Sequence, residues 1–470
     1  MESLLLYLSL FLIFLTGWLL IQSISSRFSW SESLGFAFPV GLGLITLLMF
    51  VADWTGLGIS GPVNAVLTLL LFLAALWLWA FRLKRHLALR AQAAALLHRR
   101  NWKPLLSGYN LAWLLLLLVI AYAEYSNFLK TVYFPTYDRD SMAGFDTMGF
   151  IAAREGTYRH MSIFDGNYAL HIHNPGSYIT YMPMLQLAYA YVYSLGAATS
   201  KLIPALVYLG FLFGFYGSTK RATCRTAAML ATLGMMMSPE MLSFSSLSNT
   251  NVVHACMASA ALIYYCLWFR QHRRRYLLLG SVLLALSCWI RIESLVFVGA
   301  AFLLVLLRAL KTRHFRPLVL PLAALLPILL FTVYAHTGGL TAPSVIIAHP
   351  FWDGLKAESV LNGALFLLAK PYYYGWTFPL MFIAFLLNVR HLFLHGDNAH
   401  VLLAFFTALV LYFWGLYHIN YVWDSLDHVL NYSAKRFLFC FVPVTWFYMA
   451  TLRPVRQAGR WIEEKLTLLR

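Results

Sequence analysis

Residues 111–140 read LAWLLLLLVIAYAEYSNFLKTVYFPTYDRD, an apolar run that closes on Tyr137-Asp138-Arg139-Asp140, with Asp146 close behind. A helix needs about 20 mostly apolar residues to cross the hydrocarbon core of a bilayer, and the first part of this stretch supplies them. The second part puts carboxylates at the membrane edge. Five of the chain's 18 Asp and Glu residues fall between Asp138 and Asp165. Carboxylates are costly near a bilayer and cluster there mainly where something uses them.

The same alternation of apolar run and short polar loop fills the chain. Of 470 residues, 61% are hydrophobic and only 11% charged, whereas a soluble domain carries about a quarter charged residues. The expected fold class is all-α: a polytopic membrane protein with about 13 transmembrane helices. Apolar runs lie at about 4–22, 34–52, 61–81, 108–127, 200–217, 226–240, 252–269, 277–292, 294–310, 318–335, 375–389, 400–418 and 437–453. The net charge of +17 resides in short loops between these runs, as the positive-inside rule requires, so it does not call for a nucleic-acid partner. Cys224, Cys256, Cys266, Cys288 and Cys440 lie in or beside apolar runs without metal-ligand spacing. They read as small core residues. Met1-Glu2-Ser3 runs straight into apolar residues without a basic leader region, which predicts a retained span.

Charge sets the topology. Arg82–Lys103, Arg270–Arg275, Lys311–Arg316 and the tail from Arg453 are basic and are expected in the cytoplasm. With those loops inside, 25 of the 35 basic residues lie inside and 14 of the 18 acids outside. The N-terminus is then outside, the C-terminus cytoplasmic, and the loop 128–178 external. Two apolar segments, about 178–197 and 200–217, separate that loop from cytoplasmic Lys220, Arg221 and Arg225. Parity allows only one to span. The first holds Tyr178, Tyr181, Tyr189, Tyr191, Tyr193 and Pro183. It reads as an interfacial or re-entrant helix, because Tyr rings favour the headgroup layer. Leu365–Tyr374 reads the same way. The expected organisation is an N-terminal three-span element over 1–107, a membrane module over 108–453 and a basic tail over 454–470.

Candidate chemistry lies in the external loops. Asp138 and Asp140, two apart, point the same way in an extended loop and could share a divalent cation or a hydroxyl proton. Their bland alternative is a solvated acidic loop. Phe145–Arg159 reads as a short interfacial helix. His171-Ile172-His173 could be a metal pair, but it lacks a third ligand, and Pro175-Gly176 favours a turn. Arg291 and Glu293 flank Ile292 between two apolar runs, either as a buried pair joining two spans or with Arg291 facing an anionic group. Lys435-Arg436 precedes the last apolar run at an outer helix end, which suits a phosphate ligand or snorkelling to lipid headgroups. Tyr372, Tyr373, Tyr374, Trp376 and Trp423 are stacking candidates or interfacial belt residues.

The order of these motifs resembles the GT-C superfamily of multi-span glycosyltransferases. Tyr137-Asp138-Arg139-Asp140 is similar to the acidic motif of the first large external loop. His173-Asn174-Pro175-Gly176-Ser177-Tyr178 is similar to an H-x-P-x-x-Y run of bacterial members. Asn431-Tyr432-Ser433-Ala434-Lys435-Arg436-Phe437, followed by Pro443, is similar to the basic element before the final conserved span, and Trp289–Ser294 to a mid-chain basic-acidic element. The resemblance covers about 108–453. The chain departs in carrying three spans before the acidic loop, and it lacks a W-W-D-x-G signature and a large C-terminal external domain.

The resemblance implies an inverting glycosyltransferase of a bacterial inner membrane. It would move a sugar from a polyprenyl-phosphate-linked donor to a glycan, lipid or protein acceptor at the outer face. Asp140, or Asp138, is then the expected base. Lys435, Arg436 and Arg291 are the expected donor-phosphate ligands, and Asp146, His173 and Tyr432 the expected substrate-binding residues. Asp138 and Asp140 are also the candidate ligands of a divalent cation (Mg or Mn). The rivals are a transporter or flippase for a lipid-linked or anionic substrate, and an enzyme like the O-antigen ligases and polymerases.

Overall fold

The structure is a computed structural model that describes residues 2–83, 108–138, 140–159, 161–162, 181–337, 346–396, 398–421 and 425–468. His160, Asp165, His171, His173 and most of the 173–183 motif, Arg139, Trp423 and Asp424 lie outside the described residues, as does the basic loop beyond Leu83.

The apolar runs fold into α1 (Glu2–Ile24), α2 (Trp30–Trp54), α3 (Gly61–Leu83) and α4 (Gly108–Tyr133). After the acidic loop come α5 (Asp146–Glu155), α6 (Met184–Ser194), α7 (Leu202–Ala222), α8 (Arg225–Met236) and α9 (Pro239–Phe244). The middle of the chain gives α10 (Asn251–Gln271), α11 (Arg274–Ile290), α12 (Leu295–Thr312), α13 (Val319–Ala323) and α14 (Leu326–Thr337). A strand β1 (Ile346–Ala348) precedes α15 (Gly354–Ala369), α16 (Pro371–Tyr374), α17 (Thr377–His395) and α18 (Ala399–Tyr417). Then follow β2 (Ile419–Tyr421), α19 (Leu426–Val429), α20 (Lys435–Phe437), α21 (Phe441–Thr451) and α22 (Arg453–Leu468).

Among the described residues nine helices are long and apolar enough to cross a membrane, or up to eleven if two bent pairs each count as one span. The pairs are Arg316–Ala323 with Leu326–Thr337, bent 43°, and Leu426–Thr451 with Arg453–Lys465, bent 68°. The chain is thus an all-α polytopic membrane protein. The two remaining expected runs form shorter helices. α8 stops at Met236 and gives way to Pro239 and α9, while α11 has 17 residues and opens on two arginines.

Packing follows composition. α10 is apolar on all sides and 94% of its central window is buried, so it forms the centre; for α4 the figure is 11%, so it is peripheral. Without water to drive helices together, close backbone approach at small residues does so. A Cβ on Gly17 would land on the carbonyl oxygen of Ala37, and one on Gly35 on the backbone of Gly214. α1 therefore lies directly on α2, and α2 on α7.

Contacts sort the helix ends into two groups. At one end Arg221 Nε donates to Glu32 (2.8 Å), and the Arg275 guanidinium donates to the Arg27 carbonyl (3.2 Å). Arg82 donates to the Ser23 carbonyl (2.5 Å), Arg225 to Asn110 (3.4 Å) and Thr226 N–H to Glu463 (2.8 Å). This is the basic end. At the other end Asp53 accepts from Arg159 N–H (3.1 Å) and Tyr334 (3.0 Å), and Asp138, Asp140 and Asp146 gather. α10 runs from the acidic end to the basic end over roughly 30 Å, and α11 returns. At the acidic end β1 pairs antiparallel with β2, Ile346 opposite Tyr421, joining two otherwise separate loops. Lys356 fastens the same join, donating to Ile419 O (2.7 Å) and Asn420 (2.6 Å).

The 11 residues of α6 reach only about 16 Å, so it does not span, as parity requires. Tyr189 and Tyr191 are fully buried in protein, with Tyr191 bonded to Thr68 (2.7 Å) and Tyr189 to Asn249 O (3.3 Å). Two of its tyrosines thus place their rings and hydroxyls inside the protein, while Tyr193 is part-exposed.

Candidate functional site

At the acidic end, five chain segments converge on one polar pocket: the start of the acidic loop helix, the segment before α6, the entry to α10, the α11–α12 junction and the segment before α21. Asp140, Phe145, Tyr181, Thr250, Asn251, Arg291, Ser433 and Arg436 line it, around about 270 Å³ of empty space including its open mouth.

Two segments bring an acid and a base together across the pocket. Asp140 stands just before Ser141–Phe145, a wide turn with i→i+5 hydrogen bonding in which Asp146 N–H reaches Ser141 O. Arg436 follows a second such turn, Leu430–Ala434, in which Lys435 N–H reaches Leu430 O. Turns of this kind are rare and concentrate at functional sites. Arg436 Nη1 donates to Asp140 Oδ2, and the two side chains are 8% and 18% exposed. The Arg436 guanidinium also covers the Tyr432 ring, 3.8 Å from its centroid, and donates to Tyr432 O (3.2 Å).

A second guanidinium enters from the α11–α12 junction. The chain turns extended at Arg291, and its side chain donates to Glu293 (2.6 and 3.3 Å), Asn251 Oδ1 (2.7 Å) and Thr250 Oγ1 (3.5 Å). It also faces the Tyr181 ring at 5.4 Å. Burial raises the Tyr181 phenol above the ordinary tyrosine range, against the opposing pull of Arg291, so it remains a neutral donor. Behind the pocket, buried His254 bonds Ser294 (2.8 Å) through Nε2 and contacts Cys440 Sγ (3.4 Å) through Nδ1, while Ser294 meets Ser287 (2.5 Å). This chain of contacts ties α10, α12 and the last span together, and so holds the segments that carry Arg291 and Arg436.

The other expected residues divide. Asp138 does not point with Asp140. Its carboxylate caps the turn, accepting from Ser141 N–H (3.2 Å) and Oγ (3.1 Å). The extended geometry expected for the pair fails because Asp140 already has helical dihedrals. Asp146 is held by three hydroxyls: Ser200 (2.6 Å), Tyr193 (2.7 Å) and Thr136 (3.4 Å). Burial and the bond to Asp146 raise the Tyr193 phenol, which keeps it a donor. Lys435 turns away from the pocket to Glu240 (3.2 Å) and lies 4.6 Å over the Tyr373 ring. Tyr374 is buried and donates to Lys435 O (2.6 Å), whereas Tyr372 and Trp376 are exposed. Among the described residues no three His, Cys, Asp or Glu side chains converge as metal ligands.

Tyr181, Thr250, Asn251 and Ser433 as pocket residues, and Glu240 as the partner of Lys435, were not anticipated. One signal was present: the polar run Ser245-Ser246-Leu247-Ser248-Asn249-Thr250-Asn251 opens directly onto the most apolar-packed helix. Comparison of the chain with protein-family models, curated proteins and solved structures returns no match.

Proposed function

We propose that the chain is an inverting glycosyltransferase that uses a polyprenyl-phosphate-linked sugar at the acidic end of the bundle, which faces the periplasm or exterior of a bacterial inner membrane. One observation carries the reading: a carboxylate and two guanidiniums share a small polar pocket at the acidic end of the bundle. Those are the groups the chemistry needs. The acceptor hydroxyl oxygen attacks the anomeric carbon as the bond from that carbon to the phosphate oxygen breaks. The hydroxyl proton passes to Asp140, and the polyprenyl phosphate leaves with the electron pair. Arg436 and Arg291 meet the growing phosphate charge with charge-assisted hydrogen bonds. Asp138 keeps the loop turn in shape, Asp146 anchors it to α6 and α7, and the Tyr432 ring backs Arg436. A divalent cation, held by Asp138 and Asp140 if they turned together, would add charge neutralisation at the phosphate.

The helix ends support thirteen crossings with the N-terminus outside. α8–α9 leads from Arg225 at the basic end towards Asn249 at the acidic end, and α11 leads from Arg275 back to Arg291. They bring the count from eleven to thirteen.

Asp140→Asn keeps the shape and removes the base. In reconstituted protein given polyprenyl-phosphate sugars, transfer is expected to fall about 10²–10⁴-fold, with polyprenyl phosphate still bound. Unchanged turnover refutes the role. A transporter is the second reading, favoured by Glu124. This carboxyl is 4% exposed within α4, and one of its oxygens has no hydrogen-bond partner. It is accompanied by a crossing broken between α8 and α9, as transporter helices often are. Substrate movement that survives Asp140→Asn, without sugar transfer by the parent protein, would select it.

A further inference from the structure

Across the pocket, an acid and a base bond each other. Asp140 and Arg436 are 296 residues apart in the chain, and their ion pair is the link that joins the two wide turns across the pocket. The pair of Arg291 with Glu293 is different, because it is local to one junction and bridges nothing. The proposed chemistry asks Arg436 to hold phosphate and Asp140 to take a proton from a hydroxyl. Each gives up part of its capacity while bonded to the other. A guanidinium that donates to a carboxylate has fewer donors left for a phosphate, and a carboxylate oxygen that accepts from a guanidinium has less room for a hydroxyl.

We propose that the Asp140–Arg436 pair is a resting lock opened by the donor's own phosphate. The phosphate oxygens displace Asp140 from the planar fork of Arg436, and the released carboxylate turns to the acceptor hydroxyl. The base is thereby armed only when a donor is in place. The two turns, each one residue wider than an α-helical turn, are the elements that give way. This rests on the transferase reading and adds an order to it: donor first, base second.

The lock has a measurable consequence. A ligand that must displace an internal competitor binds more weakly by the fraction of molecules that are open. If 1–10% are open at rest, removing the competing charge tightens phosphate binding by about 10- to 100-fold. The test uses the full chain in neutral-lipid nanodiscs and undecaprenyl phosphate without a sugar, read by tryptophan fluorescence. The proteins are the parent, Asp140→Asn, Arg436→Gln and the double variant, each first shown to melt cooperatively. The expected result is a 10- to 100-fold tighter Kd for Asp140→Asn, a weaker one for Arg436→Gln, and a double variant no tighter than Arg436→Gln alone. Equal affinity of parent and Asp140→Asn, with Arg436→Gln weakened, overturns the lock and leaves the phosphate site standing. Undiminished binding by Arg436→Gln overturns both. Inorganic phosphate and phosphatidylglycerol serve as parallel probes. An equal gain with either would overturn the donor as the specific key.

Discussion

Arg291 allows the sharpest test, because two roles for it predict opposite behaviour in its partner. As a strut, it holds the α11–α12 junction through Glu293 and Asn251. As a phosphate ligand, it faces the pocket, and Glu293 only steadies it. The two side chains are 13% and 31% exposed. Breaking a fully buried pair costs about 3–5 kcal/mol and an exposed one below about 1 kcal/mol, so a pair at this depth is worth on the order of 1–3 kcal/mol. Glu293→Gln and Arg291→Gln should therefore both lower thermal stability by a similar amount. Their effects on phosphate should diverge. A hydrogen bond to a charged group contributes about 1.5–3 kcal/mol, so losing the one from Arg291 should weaken undecaprenyl phosphate binding roughly 10- to 100-fold. Glu293→Gln leaves the guanidinium charged and bonded to Asn251 with one competitor fewer, so binding should hold or tighten. Melting curves and binding isotherms on the same nanodisc samples measure both. Two variants that lose stability and affinity in parallel would refute the phosphate role and make Arg291 a strut.

Glu32 is fully buried at the basic end and accepts from Arg221 (2.8 Å), Ser29 (2.7 Å) and Tyr264 (3.1 Å). Glu32→Ala strands the part-exposed Arg221 and should destabilise the protein by about 2–4 kcal/mol, with Glu32→Gln milder; an unshifted melting temperature would contradict this. For orientation, all five native cysteines are buried, so background labelling is low. A cysteine at exposed Gly354 should react with an impermeant maleimide in intact cells, and one at exposed Arg273 only after lysis. The reverse pattern would turn the protein over in the membrane.

What the sequence discloses and what it hides follow from range. Apolar runs and basic loops are local, and they are enough to identify a polytopic helical bundle and to separate Arg27, Arg221 and Arg275 from Asp53, Asp140 and Asp146. Pairings are not local. Nothing between Asp140 and Arg436 announces their contact, because it depends on how eight intervening apolar runs stack. Choices between neighbours fail for a related reason. Asp138 and Asp140 share a side in a strand, but Asp140 begins a helical turn and leaves its neighbour behind. Lys435 and Arg436 read alike as a basic pair, yet successive helical residues point about 100° apart, sending one to Glu240 and the other into the pocket. The tyrosines of α6 are ambiguous by sequence because a ring with a polar tip suits two places equally, the headgroup layer and a buried site with a partner for its hydroxyl, and Tyr189 and Tyr191 take the second.

The proposed transferase and a transporter would hold their essential charges at different depths. A transporter must show its substrate to both faces, so its essential charges lie near the middle of the bilayer, where broken helices expose backbone. A transferase can keep its charges at one edge, where a lipid-borne phosphate already sits and a soluble acceptor can arrive. Asp140 and Arg291 stand at helix ends, and Arg436 lies about ten residues into the helical stretch Leu426–Thr451; all three line one pocket. Glu124 lies about 14 Å inside α4 from its Tyr133 end. It contributes nothing to the pocket lining, and its nearby bond network runs through Asn127 to Ser245 (2.8 Å), which steadies the broken α8–α9 crossing against α4. A buried carboxyl that orients Asn127 against the end of α9 fits a structural role in the discontinuous crossing, and the transferase reading of the three pocket charges is the proposal that Asp140→Asn tests.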